Sequence, residues 1–317
     1  MTFVCPACKG PLLGEYECRA CGRDYPVIHG IPDFRLFPDP YIGIPQDRAK
    51  AAHLFEAAQT RSFRQMLDYY YSITAEDPGD LAKVWTAHAL AETDIAAFLL
   101  RKAGIERGRA LLDIGCSTGG LLIAAKRGFE IVAGVDVALR WLAIGALRLR
   151  EAGVAAQLVC ANAEALPFPV ESFDTITSID TVEHLRDAAA GMREAHRVAT
   201  DPATILCATN NRYATLPDPQ VHLWGVGWLP RAWQPGYVAW RRKDLHRYHI
   251  RMRSAREMDQ LLRDAGFSMR GTEAAPLIAP HRPKLESALD FYNTVRRAPL
   301  MNRIAPRLWS VARKTST

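Results

Sequence analysis

Long apolar runs are missing from this chain, and nothing in its 317 residues is apolar for long enough to span a bilayer as a helix. The opening "MTFVCPACKG" lacks the charged and then apolar regions of a secretory signal, so a cytoplasmic location is expected. Cysteine is scarce. Four of the seven fall in one short stretch, which argues against a disulfide scaffold. Neither sign of charge dominates: 40 Lys and Arg face 34 Asp and Glu, a net of +6. That balance leaves nucleic acid or an anionic membrane open as partners and demands neither. What is present is 49% apolar residues, enough for a packed core.

The segment "CPACKGPLLGEYECRACGRDYPVIHGIPDF" carries Cys5, Cys8, Cys18 and Cys21. Two C-x-x-C pairs across a short hairpin suit a tetrahedral zinc with no open position, hence a structural rather than a catalytic metal. So short a segment cannot bury enough apolar surface to fold unaided, and the metal is expected to supply the difference. A Cys5→Ser or Cys21→Ser change is expected to loosen this segment without abolishing events elsewhere. The segment resembles the small zinc ribbons that partner tRNA and release-factor methyltransferases, and ribbons fused in front of rRNA guanine methyltransferases.

Beyond it, "PDFRLFPDPYIGIPQD" reads as an extended linker. Two helical stretches follow, the first with an aromatic stripe at Tyr69, Tyr70 and Tyr71. The second has Asp80 as expected N-cap and Gly104 as stop. Packing is the expected role of the three tyrosines, with a pocket wall as the alternative.

From residue 110 the pattern alternates strand and helix: "ALLDIG", "EIVAGVD", "VAAQLVCAN", "FDTITSID" and "ATILCATN" read as strands. Such alternation predicts an α/β, doubly wound sheet with helices on both faces. Ligands in such sheets sit at the carboxyl ends of the strands. There lie Asp113, Gly115, Ser117 and Gly119 of "LLDIGCSTGG". Asp136 ends the second strand, placed to accept both hydroxyls of a ribose. Asn162 and Ala163 follow the third, where the Asn162 amide is expected to read an adenine edge.

With "LLDIGCSTGG", "VAGVD", "ANAEALPFPVESFDTI" and "DTVEHLRD", the chain resembles class I S-adenosylmethionine-dependent methyltransferases with a quinone-biosynthesis-like core. The resemblance is loosest at "LLRDAGF" and at the last strand, "LWSVARK". It departs at Ser117, where a glycine is usual, and at Asn162, where aspartate is common. It implies S-adenosyl-L-methionine as cofactor and an in-line methyl transfer, in which alignment is the main requirement. A substrate proton must still be removed, so a base or a metal is expected.

"SIDTVEH" follows the fourth strand. On a helical turn Asp180, Glu183 and His184 share a face. The related E-x-x-E-H motif of quinone-biosynthesis O-methyltransferases, and of enzymes that methylate small-RNA 3′ ends, binds a divalent ion. Asp180, Glu183 and His184, with His222 as fourth ligand, are therefore a candidate site for magnesium or another divalent ion. His184 acting as a pocket base or hydrogen-bond donor is the alternative, and on either reading it matters to turnover. The insert that follows is rich in Trp, Tyr, Arg and His and is expected to form a substrate lid or to fold on a small core of its own. A later helix carries Leu285, Leu289, Tyr292 and Val295 on one face. It is expected to cover the sheet or meet a second copy, with peripheral membrane contact as the alternative.

The expected layout is a ribbon over 1–33, a linker and helical cap over 34–105, and a core over 106–275 with its lid near 211–253. A final helix and strand fill 276–317. The expected activity is O-methylation of a small, lipid-linked or sugar-linked metabolite. An RNA methyltransferase is the alternative, against which stands the lack of an N-P-P-F/Y motif after the fourth strand. A binding or scaffolding subunit with a silent methyltransferase fold is the third reading.

Overall fold

A computed structural model describes residues 1–74, 79–243, 248–280 and 282–315. The start of the second cap helix at 77–78 and part of the insert at 244–247 lie outside these residues.

The main sheet has eight strands: β1 Gly108–Ile114, β2 Phe129–Asp136, β3 Gln157–Cys160, β4 Phe173–Ile179, β5 Ala199–Asn210, β6 Ser268–Met269, β7 Glu273–Ala274 and β8 Arg307–Lys314. Their order is β6-β8-β5-β4-β1-β2-β3, with β7 also paired to β8. The five strands β1 to β5 run parallel, as their alternation with helices requires. The last strand, β8, returns antiparallel along most of β5, from Arg307 opposite Asn210 to Lys314 opposite Ala203. Strand order reverses between β1 and β4, and ligand crevices form at such a point.

The helices are α1 Ile44–Ala57, α2 Phe63–Ser72, α3 Gly79–Ala103, α4 Gly120–Ala125, α5 Leu139–Glu151, α6 Ala188–Val198, α7 Gln234–Arg241, α8 Ala255–Asp264 and α9 Glu286–Val295. Local chemistry fixes several starts. Ser62 and Gln65 form a reciprocal cap on α2, Ser254 and Glu257 do the same on α8, and the Asp187 carboxylate caps α6. Asp80 lies inside the first turn of α3 rather than capping it, because the helix already includes Gly79. Gly104, at φ +70°, ends that helix.

Alternate residues of a strand face opposite sides. Leu112 and Ile114 pack with α6, α8 and the N-terminal knot, while Leu111 packs with α3 and α4. The knot is thus part of the core. Phe3, Cys5, Cys18, Tyr25 and Phe34 are buried in the same cluster as Ala133, Val135, Phe168 and Phe173. Phe34 touches the rings of Phe3, Tyr16 and Tyr25 at 5.1 to 5.2 Å between centroids. Lys9 adds an ion pair to Glu194 at 2.6 Å. Among the described residues, no helix is long and apolar enough to cross a membrane.

Candidate active site

The glycine turn after β1 is built by short range and by close approach. Gly115 has φ +82°, and a Cβ there would sit 2.0 Å from the Thr181 hydroxyl oxygen. Ser117 holds the left-handed region at φ 45°, a strained state for a residue with a Cβ. Its backbone N–H donates to Asp136 Oδ2 at 2.8 Å, and the Ala138 N–H donates to Oδ1 at 2.8 Å. Asp136 is therefore locked across the β1 and β2 ends. Burial pushes its pKa up, against the pull of those two N–H groups.

Asp113 lines the cavity and accepts the Thr177 hydroxyl at 2.7 Å. Burial pushes its pKa up to about 7; the Thr177 hydroxyl opposes this, and the charges of Glu92 and Asp136 add to it. A carboxyl raised in the native state stabilises the fold at low pH and loses that contribution as pH rises through its folded value. The cofactor-free protein should therefore lose stability relative to Asp113→Asn between about pH 4 and pH 7, by a few kcal/mol at most. Denaturant titrations of both proteins across that range measure this, and parallel curves would exclude it.

Glu92, on α3, clamps the turn from above. Its Oε2 accepts from the Thr118 hydroxyl at 3.1 Å, the Gly120 N–H at 3.2 Å and Arg148 Nη1 at 2.5 Å. Sequence reading missed this residue, because nothing near it in the chain marks it.

The linker is a second feature that sequence reading missed. Phe34 N–H donates to Cys160 O at 2.7 Å, and Asp33 pairs with Cys160 as a parallel bridge. The segment so extends the sheet edge beside β3. Beneath it lies a buried ion cluster. Arg35 binds Asp33 at 2.7 Å and Asp47 at 2.6 Å, and Arg140 binds Asp39 and Asp47, both at 2.7 Å. The Asn162 amide belongs to this belt. Its Oδ1 accepts from Leu36 N at 2.8 Å and Phe37 N at 3.3 Å, and its Nδ2 donates to Phe37 O at 3.1 Å. Its side chain thus holds the belt down, a role different from the expected reading of an adenine edge. Ala163, buried, opens the short 3-10 turn that follows.

The expected second metal site does not assemble. Asp180 sits at φ 53° in the left-handed region, so residues 180–184 form a turn without a shared helical face. Asp180 is held by Arg307 at 2.8 Å, and the buried Glu183 accepts from Asn210 Nδ2 at 3.1 Å. His222 is exposed. Among the described residues, the only group of three or more His, Cys, Asp and Glu side chains close enough to share an ion is Cys5, Cys8, Cys18 and Cys21. These four do fit zinc. Cys5 and Cys21 sulfurs lie 3.6 Å apart and Cys8 and Cys18 sulfurs 3.5 Å, near the edge of about 3.8 Å that Zn–S bonds of ~2.3 Å give a tetrahedron.

One cavity of about 910 Å³ joins the glycine turn, the helical cap and the end of β4; Gly119, Asp136, Asn162 and Ala163 do not line it. Asp113, Gly115, Ser117 and Thr118 line one end; Tyr70, Tyr71, Trp85 and Trp141 form an aromatic wall; Asp180 and His184 come from the β4 end. Tyr70 lies 4.1 Å from Trp141 between centroids, so the tyrosine stripe both packs and walls the pocket. His88 and His249 also reach the cavity, and neither stood out in the sequence.

Residues 112–207 match the model of a methyltransferase domain family. The chain is 40% identical over 102 residues to a demethylmenaquinone methyltransferase of Roseiflexus castenholzii, covering 32% of this chain and 42% of that protein. It is 32% identical over 133 residues to a ubiquinone biosynthesis O-methyltransferase of Cereibacter sphaeroides, covering 39% of this chain and 51% of that one. The chain spans about half the length of the curated relatives it matches. Among solved structures, an S-adenosylmethionine-dependent methyltransferase of Aquifex aeolicus aligns at 15% identity and a TM-score of 0.48, over 75% of this chain and 98% of that one. Residues 112–207 of this chain thus form a methyltransferase domain. One of these relatives is named for demethylmenaquinone and the other for ubiquinone biosynthesis.

Proposed function

We propose that this protein transfers a methyl group from S-adenosyl-L-methionine to an oxygen of a small, lipid-linked acceptor. The observation that carries the reading is the single cavity, in which the glycine turn and the aromatic wall share one space. The activated sulfonium supplies the methyl group, so the protein's task is alignment. Asp136 orients a ribose, and Asp113 offers a negative charge to a cationic ligand. Gly115 and Ser117 line the cavity, and Gly119 gives the turn its left-handed bend, so that the backbone passes close to the cofactor. The rings of Tyr70, Tyr71, Trp85 and Trp141 exclude water and stack on a planar or apolar acceptor. His184 takes the proton of the acceptor hydroxyl. Four thiolates held for one structural zinc suit a reducing compartment such as the cytoplasm.

Asp136→Ala should weaken cofactor binding by ~1.5–3 kcal/mol, the range for hydrogen bonds to a charged group. Calorimetry on the intact protein measures it, and an unchanged affinity would remove Asp136 from the ribose site. For the acceptor, label from methyl-tritiated cofactor should pass into the organic phase of a lipid extract. Label appearing in RNA, or in no fraction at all, would overturn the lipid-linked acceptor.

A further inference from the structure

We propose that the insert after β5 is a docking face for an anionic lipid bilayer, with four tryptophans as its apolar anchors. Residues 211–243 hold Trp224, Trp228, Trp233 and Trp240, four of the seven tryptophans in the chain. They are 63%, 50%, 66% and 70% exposed. The insert has not simply failed to fold around them. Val221, Leu223, Val226 and Val238 close into a core of their own, with Tyr237 and Tyr248 packed on it. The tryptophans stay outside that core.

Their orientation is informative. The Trp224 indole N–H donates to Thr215 O at 3.1 Å, and that of Trp228 to Ala214 O at 3.1 Å. The polar edge is spent on the protein, and the apolar body faces out. A ring exposed for the sake of water would do the reverse. Contacts bring three of the four together: Trp224 and Trp228 bind neighbouring carbonyls, and Tyr237 links Trp224 to Trp240. Tyr237 donates to Trp224 O at 3.1 Å, and its ring lies 6.2 Å from that of Trp240. Thr215 N donates to Ile304 O at 3.3 Å, which brings the Met301–Ile304 turn alongside. Leu216 and Leu300, both exposed, add aliphatic surface there.

Charge selects the occupant. Residues 211–243 carry Arg212, Arg231, Arg241, Arg242 and Lys243 and one acid, the buried Asp218; Arg212 and Arg231 share Glu257, and Arg242 reaches Asp80 at 3.4 Å. No Asp or Glu follows Asp290. Arg241 and Lys243 are exposed, and the Arg241 guanidinium lies 5.6 Å from the Trp240 ring centre. Amphipathic rings beside basic groups match the interface of an anionic membrane. A surface made only for stacking bases has no use for Leu216 and Leu300. Gln220, Val221, Tyr248, His249 and Ile250 of the same insert line the cavity, so docking would set the cavity mouth at headgroup level. The inference goes beyond the proposed chemistry, because the face can bind lipid whatever the acceptor is.

The test mixes the intact protein with vesicles of phosphatidylcholine alone, or of phosphatidylcholine and phosphatidylglycerol in equal parts. Binding to the anionic vesicles is expected, falling with salt, and brominated acyl chains should quench the tryptophan fluorescence. Trp233→Ser with Trp240→Ser should lose most of that quenching. Arg241→Gln and Lys243→Gln should each weaken partitioning about fivefold, the equivalent of ~1 kcal/mol per basic residue at such a surface. Unchanged cofactor affinity in these variants shows that they are folded. Variants that bind vesicles as well as the parent would overturn the proposal. So would retention on single-stranded RNA without vesicle binding, or self-association that shields the four rings.

Discussion

Removing the metal from the four-cysteine knot is expected to lower the melting temperature of the whole protein by about 10 °C or more and to weaken cofactor binding about tenfold. The knot lies within the main core: Phe3, Cys5, Cys18, Tyr25 and Phe34 share a buried cluster with strand residues Ala133 and Val135. A buried aromatic side chain contributes ~1.5–3 kcal/mol, so releasing several removes a large share of a stability of ~5–15 kcal/mol. The chain then continues into the belt whose Leu36 and Phe37 N–H groups fix Asn162 at the end of β3. Slack in the knot reaches the cofactor side through that belt. This sharpens the expectation, drawn on sequence alone, that a Cys5→Ser or Cys21→Ser change loosens the segment without abolishing cofactor binding. Scanning calorimetry and cofactor titration on Cys5→Ser and Cys18→Ser, with bound zinc measured in each, decide the matter. Zinc-depleted protein that melts and binds cofactor like the parent would refute the coupling.

Asp47→Ala should cost about 3–5 kcal/mol, the penalty for removing one partner from a buried ion cluster. Asp47 accepts from Arg35 Nη1 at 2.6 Å, from Arg140 Nη1 at 2.7 Å and from the Leu139 N–H at 2.9 Å. All three side chains are buried. Truncation leaves Arg35 with Asp33 alone and Arg140 with Asp39 alone, two guanidinium groups sharing one carboxylate fewer, and takes the acceptor from the Leu139 N–H at the start of α5. Replacing Arg64, whose contact to Asp68 is solvent-exposed at 3.9 Å, should cost less than about 1 kcal/mol. Equilibrium denaturation of both variants makes the comparison. A loss below about 1 kcal/mol for Asp47→Ala would mean that the cluster relaxes or admits water.

The sheet and the turn were legible because their signals are local. Apolar runs ending in Asp113 and Asp136, with glycine at positions 115 and 119, place β1, β2 and the turn directly, since each depends on near neighbours. The ion belt was not legible, because Asp39 meets Arg140 and Asp47 meets Arg140 only after the chain has folded back across the sheet. Acidic and basic residues in a proline-rich stretch look alike whether solvated or buried. "DTVEH" misled for a different reason. Its spacing fits a helical face, but the left-handed Asp180 turns the carboxylate to Arg307 on β8, a strand far along the chain. Asn162 was placed at the correct strand end, yet its amide is taken up by a segment that passes for a linker.

The packing of Phe34 against Phe3 and of Phe3 against Phe168 has a consequence for synthesis. The knot and its rings leave the ribosome before Phe168 and Phe173, which follow only after β1, β2 and β3 have been made. At about 5–20 residues per second, the nascent chain carries uncovered aromatic rings for seconds to tens of seconds. Early metal loading would tie those rings to a compact hairpin during that interval. Scarcity of zinc would then be felt as lost yield of newly made protein before it was felt as lost stability of the finished one.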